Sequence, residues 1–418
     1  MENHKKIKLV TFAPNSNFGT CLQSYALNHI LKQMGHKVEF IYNGRETPPI
    51  HLCVRIIRYI ISFFPVSVKN LIIEIFFRNN NHVKDPYILA LPNNPIFGIM
   101  FKIGIFRKLY NKLKYRTPRD KKVFKFTFLD GNYNMVRLCT KKDYISIIKN
   151  TDVFITASDQ IWNPFCGGFN PFMFLEFAGD VKRIAYSSSI SHPCFPSTVE
   201  ERARIDLSKF KHIAVREKSS VLYLNKLLKR NDVKLVVDPT CLLSKNSWIS
   251  FSERADIDFD LPNDYILCYF VGSRTNDYSK MVDRVKGKTG IKNVITINCY
   301  DNKNFEGAGF VYNNGGPYEF VYLLRHAKFV CMDSFHATIF ALKFGIEFTH
   351  ILKHADNSDV YSQNTRMYDL LNRYGIMYKI YDENSDAWLR PIDFEKVNHI
   401  MNTEISDSID YLKTALLT

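Results

Sequence analysis

Hydrophobic and polar residues follow two different periods at the start of the chain. The run at 5–12, KIKLVTF with its preceding lysine, is rich in strand formers, and a turn-rich loop, APNSNFGT, follows it. In CLQSYALNHILKQMG, Leu22, Tyr25, Ala26, Ile30 and Leu31 fall on one face of a helix, and Gly35 is placed to cap its end. A second strand, KVEFIYN (37–43), comes next. Two strands joined by one helix through such short connections lie parallel, which predicts a doubly wound α/β sheet.

The pattern breaks between about 44 and 150 and then resumes. Strands are predicted at TDVFITAS (151–158), RIAYSSS (183–189), KHIAVRE (211–217) and KLVVDPT (234–240), where Asp238-Pro239 closes the series. A second series runs through DYILCYFVG (264–272), NVITINCY (293–300), the helix PYEFVYLLRHA (317–327), the strand KFVCMD (328–333) and the helix FHATIFALKFG (335–345). The expected organisation is a Rossmann-like domain at 1–245 with a 44–150 insertion, a second at 246–390, and a helical segment at 391–418 packing back across both. Two such domains face each other across a cleft, and ligands of doubly wound sheets bind beyond the carboxyl ends of the strands.

The insertion holds an apolar segment, 52–77, and a basic one, 101–126. Arg55, Arg58, Pro65, Lys69 and Glu74 cut the apolar segment into pieces shorter than the roughly 20 residues a bilayer requires, so it is not a membrane span. Short apolar helices with basic punctuation suit either a membrane surface or packing on the domain. The basic run reads as a solvated helix face.

Composition narrows the partners. With 46% hydrophobic and 23% charged residues the chain is globular, and the run after Lys5, Lys6 and Lys8 is too short for a secretory signal, which points to the cytoplasm. Nine scattered cysteines with no CxxC pair suit free thiols in a reducing compartment. No residues have metal-ligand spacing, so neither a metal nor another cofactor is expected. A formal charge of +15 calls for anionic company, such as phosphorylated substrates or an acidic membrane surface. No nucleic-acid-binding signature accompanies it, and no nucleic-acid partner is expected.

Four strand-to-helix junctions could carry chemistry. Asn17 and Gly19 open the first helix, where free backbone N–H groups hold an anion or simply cap a turn. After the strand at 151–158 come Asp159, Gln160 and Trp162; the acid could accept a hydroxyl proton and an exposed indole could stack on a sugar. Helix capping is the plainer use of Asp159. Arg216 follows HIAV, where its fork would meet a carboxylate or phosphate in the cleft, or else pair with Glu217. Ser334 caps the last helix of the second series, placing His336 in its first turn. The positive helix end there disfavours an imidazolium unless an anion shares the site.

Together these stretches resemble the polysaccharide pyruvyl transferase family. The matching pieces are NSNFGTCLQSYAL, TDVFITASDQIWNP, IAYSSS, IAVREKSS, VVDPT, MDSFHATIFALKFGIEF and NTRMYDLL, in the family's order. Ala157 and Ala337 stand where the family usually has glycine. The resemblance implies a GT-B-like fold of two Rossmann-like domains facing an interdomain cleft, phosphoenolpyruvate as donor, and a sugar of a capsule or exopolysaccharide precursor as acceptor. It puts Arg216 and His336 at positions that hold or protonate the donor, with Ser334, Asn17 and Gly19 beside them. Asp159, Gln160 and Trp162 are left for the acceptor. If that acceptor is carried on a polyprenyl diphosphate, the insertion would dock on the inner face of an anionic plasma membrane. A nucleotide-sugar glycosyltransferase on the same architecture is the alternative.

Overall fold

The computed structural model describes residues 4–12, 17–43, 117–138, 140–165, 168–298, 305–354 and 362–418. The apolar segment at 52–77 and residues 101–116 of the basic run therefore lie outside the described residues.

Two fully parallel sheets organise the chain. The first is built from β1 (Lys6–Val10), β2 (Lys37–Asn43), β3 (Met135–Leu138), β4 (Val153–Ala157), β5 (Lys182–Ser188), β6 (His212–Val215) and β7 (Lys234–Leu235), in the order β3-β2-β1-β4-β5-β6-β7. The second comprises β8 (Tyr265–Tyr269), β9 (Asn293–Ile297), β10 (Phe310–Tyr312), β11 (Phe329–Met332) and β12 (Phe348–His350), ordered β10-β9-β8-β11-β12. Both are the α/β Rossmann-like sheets expected from the alternation of strand and helix.

In each sheet the order reverses once, between β1 and β4 in the first and between β8 and β11 in the second. Such a reversal opens a crevice, because the two neighbouring strands send their following helices to opposite faces. The loops at these two crevices are those after β1, β4, β8 and β11, and they carry Asn17, Asp159, Gly272 and Ser334.

Helix α1 (Phe18–Gln33) begins three residues before the expected Cys21 because Asn17 caps it, its side chain accepting from the Thr20 N–H. Phe18 thereby enters the core at 0% exposure and packs against Tyr269 and Phe320 of the second sheet's layer, with ring centroids 6.0 and 5.5 Å away. One apolar cluster accordingly runs from Ile7 and Leu9 through Phe18 to Leu267 and Val330. The two sheets share a core.

Residues 117–150, placed within the insertion by the sequence, complete the first sheet's layer. The helix α2 (Pro118–Phe124) opens on a Thr117/Asp120 capping box, and β3 adds to the sheet beside β2. This part of the basic run is not a solvated face. Arg119 is buried over the Phe18 ring, and Lys122 donates to the Asp256 carbonyl at 2.7 Å. Its aliphatic and cationic parts both find partners, as long basic side chains can.

The helix α3 (Phe394–Leu417) lies across both layers. Its Ser408 hydroxyl accepts from the Val237 N–H at 3.0 Å, and Tyr411 donates to the Ala185 carbonyl at 2.9 Å.

Candidate functional site

The loop after β4 takes an unusual course. Ser158 and Asp159 both have left-handed backbones, at φ 62° and 58°. Such conformations are sparsely populated by side chains other than glycine, and they persist only where surrounding bonds fix them. The Asp159 carbonyl accepts from the Ser189 N–H at 2.9 Å, and Thr20 donates its hydroxyl to Asp159 Oδ2 at 2.9 Å. The carboxylate is thus held at the start of α1, across the β1/β4 crevice.

Arg216 leaves the end of β6 and is 3% exposed. Its Nη1 donates to Asp238 Oδ2 at 2.9 Å and its Nε to Glu217 Oε1 at 3.2 Å. Glu217 also accepts from the Ser189 hydroxyl at 2.7 Å, so the serine run after β5 braces both the Asp159 loop and the arginine. The Arg216 guanidinium lies over Phe335, its Cζ 4.1 Å from the ring centroid. Its Nη2 has no hydrogen-bond partner among the described residues and sits 4.0 Å from Asp159 Oδ1.

The second sheet supplies the rest. Ser334 caps the helix Phe335–Phe344 by accepting from the Ala337 N–H, which puts His336 in the first turn. His336 Nε2 lies 3.5 Å from Asp238 Oδ2, the same oxygen that Arg216 holds. Gly19 explains how the ring fits: a Cβ there would lie 2.2 Å from His336 Nδ1. Arg366, in the helix Thr365–Arg373, brings its Nη1 to 3.9 Å from Asp159 Oδ1 and its Cζ to 5.8 Å from the Phe335 ring. A small cavity of about 10 Å³ is lined by Arg216, Glu217, Asp238, Phe335 and Arg366 among others.

Charge is closely balanced here. Burial pushes the Asp159 carboxyl up, but the charges of His336, Arg216 and Arg366 and the Thr20 hydrogen bond outweigh it, leaving the group below its ordinary range. For Asp238 burial again opposes ionisation, and His336 and Arg216 together with the Thr240 N–H hold the carboxyl far below its usual range. Burial works against the Arg216 charge, and Glu217, Asp238 and Asp159 more than restore it. Both acids and the arginine are therefore ionised at neutral pH. The arrangement can bind an anion through guanidinium edges, exchange a proton at His336, and take one at Asp159.

The structure brings Asp159, Arg216 and His336 into one site, with Gly19 touching His336 and with Asn17 and Ser334 as helix caps beside them. The predicted pairing of Arg216 with Glu217 is present, and a second acid, Asp238, joins it. Gln160 is half-buried and accepts from Asn163 Nδ2 at 2.8 Å. Trp162 corrects an expectation. Instead of an exposed indole it is 1% exposed, stacked on Phe174, with Nε1 donating to the Met173 carbonyl at 3.3 Å. The left-handed turn at 158–159 swings the following residues back under the sheet, where a large apolar ring is covered.

Four contributors were not assigned from sequence: Thr20, Asp238, Phe335 and Arg366. Asp238 had a signal, since an acid before proline at a strand end is an N-cap, and its Oδ1 does accept from the Thr240 N–H at 3.0 Å.

A family model for polysaccharide pyruvyl transferases matches residues 17–352. No curated protein matches the sequence. Among solved structures, similar chains include UDP-GlcNAc 2-epimerase from Neisseria meningitidis bound to UDP-GlcNAc, at 9% identity and TM-score 0.46 over 99% of each chain. The glycosyltransferase SnogD from Streptomyces nogalater is 10% identical at TM-score 0.44 over 100% of each chain. UGT89C1 from Arabidopsis thaliana, complexed with UDP-L-rhamnose, is 9% identical at TM-score 0.46 over 99% of each chain.

Proposed function

Since the chain belongs to the polysaccharide pyruvyl transferase family, we propose that it draws its pyruvyl group from phosphoenolpyruvate and closes a ketal on two hydroxyls of a surface-polysaccharide sugar. The observation that carries this reading is the meeting of Arg216 and His336 at one Asp238 carboxylate oxygen, with Asp159 on the other side of the Arg216 guanidinium, 4.0 Å from its Nη2.

Ketal transfer needs a proton at C3 of the enol. A protonated His336 supplies it, the double-bond electrons form the new C–H bond, and C2 becomes an oxocarbenium-like centre. One sugar hydroxyl adds to C2 and its proton passes to Asp159. The C2–O bond to phosphate then breaks with its electron pair on oxygen, and the second hydroxyl closes the ring, its proton leaving with inorganic phosphate. Arg216 holds an anionic group of the donor throughout. The Asp159 proton returns to His336, which restores the starting state.

The acceptor fits best as a lipid-linked precursor at the inner face of the plasma membrane, given the charge of +15. No helix among the described residues is long and apolar enough to cross a membrane.

The test is phosphate release from phosphoenolpyruvate with a panel of lipid-linked galactose- and mannose-type acceptors. Arg216→Ala and His336→Ala are expected to lower turnover by about 10²–10⁴-fold each, the range for a positioned acid or base. Near-normal turnover in both removes the assignment.

A further inference from the structure

We propose that the amino-terminal edge of the first sheet holds a second anion site, in which Lys182 and Arg183 take a phosphate group apart from the site of pyruvyl transfer. An open cavity of about 670 Å³ lies at this edge, and its lining sets Lys182, Arg183, Lys209 and Lys211 against one acid, Asp180. Because the strands are parallel, the edge is opposite the junctions that carry Asp159 and Arg216. The seven residues of β5 separate the two by roughly 20 Å.

The buried member of the group is Arg183, at 5% exposure. Among the described residues it makes one side-chain hydrogen bond, from Nη2 to the Gly179 carbonyl at 2.6 Å, while its Nε has no hydrogen-bond partner and no carboxylate pairs with it. A buried cation without a counter-charge is costly, and the usual remedy is an ion pair. Asp206 and Asp180 favour its charge from a distance. Asp206 is already taken, by Lys209 at 3.0 Å and Arg202 at 3.1 Å. Lys182 is half-buried, and its ammonium has no hydrogen-bond or ion-pair partner among the described residues. Burial, with the charges of Lys211 and Lys5, pushes its pKa down to about 8. Lys211 arrives beside it on the next strand, its N–H donating to the Arg183 carbonyl at 3.1 Å and its ammonium to the Thr418 main-chain oxygen. Like charges on a solvated face stand apart, whereas these crowd one cavity around a buried guanidinium. A phosphate offers acceptor oxygens to guanidinium and ammonium together and supplies the missing counter-charge.

Calorimetric titration of the full chain with inorganic phosphate tests this, comparing wild type with Arg183→Gln and Lys182→Gln. The lysine position is half-buried and covers the case in which the arginine variant does not fold. Co-sedimentation with phosphatidylglycerol vesicles, against phosphatidylcholine vesicles, tells a lipid headgroup from a free phosphate. Wild type is expected to bind one of these probes about 10–100-fold more tightly than the folded variants, the range for losing a charge-assisted contact. A difference seen with inorganic phosphate assigns the site to a soluble phosphate, and one confined to the anionic vesicles assigns it to a headgroup. Phosphate release from phosphoenolpyruvate is expected to stay within about twofold in Lys182→Gln, as a site at the far end of β5 requires. Affinities for both probes within about twofold of wild type in the folded variants overturn the proposal, as does a wild type that binds neither. An equal loss of phosphate binding and of turnover would mean one site rather than two, which overturns it as well.

Discussion

At position 19 the distance between the two layers is set by a hydrogen atom. Gly19→Ala would drive a methyl group into the His336 ring. A loss of about 1–3 kcal/mol of stability is expected from such overpacking, together with at least tenfold lower turnover, checked by thermal unfolding and the phosphate-release assay. Trp162→Phe tests the opposite kind of residue. With its indole buried and bonded to Met173, the change is expected to lower the melting temperature and leave the KM for acceptor unchanged. His350 is a buried histidine whose Nδ1 lies 3.2 Å from the Thr338 hydroxyl. Burial, with Arg366 and Lys353 nearby, pushes its pKa down to about 3. The folded state keeps it neutral where the unfolded chain, with an ordinary value of about 6.5, takes up a proton. Its contribution to stability is thus complete above about pH 6.5 and falls as pH drops toward about 3. Denaturant titrations across that window should show a slope of up to about 1.4 kcal/mol per pH unit that His350→Gln removes.

At the scale of elements, the helix Phe394–Leu417 is more than a covering layer. Its Ser408 satisfies the N–H of Val237, the residue before the carboxylate shared by Arg216 and His336. Ser408→Ala leaves that buried donor without its partner, and a cost of about 1–3 kcal/mol is expected in chemical denaturation. The elements also show what could be read from sequence. β1, β4, β5, β6 and β8 stood out because buried parallel strands are nearly continuous apolar runs. β10 and β12, of three residues each, are edge strands too short to leave a pattern, and β3 was hidden at the end of the insertion. In KLVVDPT only Lys234 and Leu235 pair as strand, because the chain turns at Asp238 to begin a short helix. Asp159, Arg216 and His336 were legible as polar residues at strand ends. Arg366 was not, since its place depends on how a helix from the far end of the second unit folds over Phe335. The side-chain direction of Trp162 was equally hidden, being set by two left-handed residues upstream.

For the molecule as a whole, a ligand gripped from both sheets should fasten them together. Phosphoenolpyruvate at about 100 times its Kd is expected to add about 2.7 kcal/mol, read as a rise in melting temperature. A rise with a uridine or guanosine diphosphate sugar and none with phosphoenolpyruvate would favour a glycosyltransferase instead. The helix at 394–417 has a further consequence, this one for synthesis on the ribosome. Val237 finds its partner 171 residues downstream, and Ala185 finds its own 226 residues downstream. Emerging first, the amino-terminal sheet must wait with one flank bare while nearly half the polypeptide is still to be translated, and nascent chains stalled before residue 394 should be conspicuous clients of chaperones that grasp uncovered apolar surface.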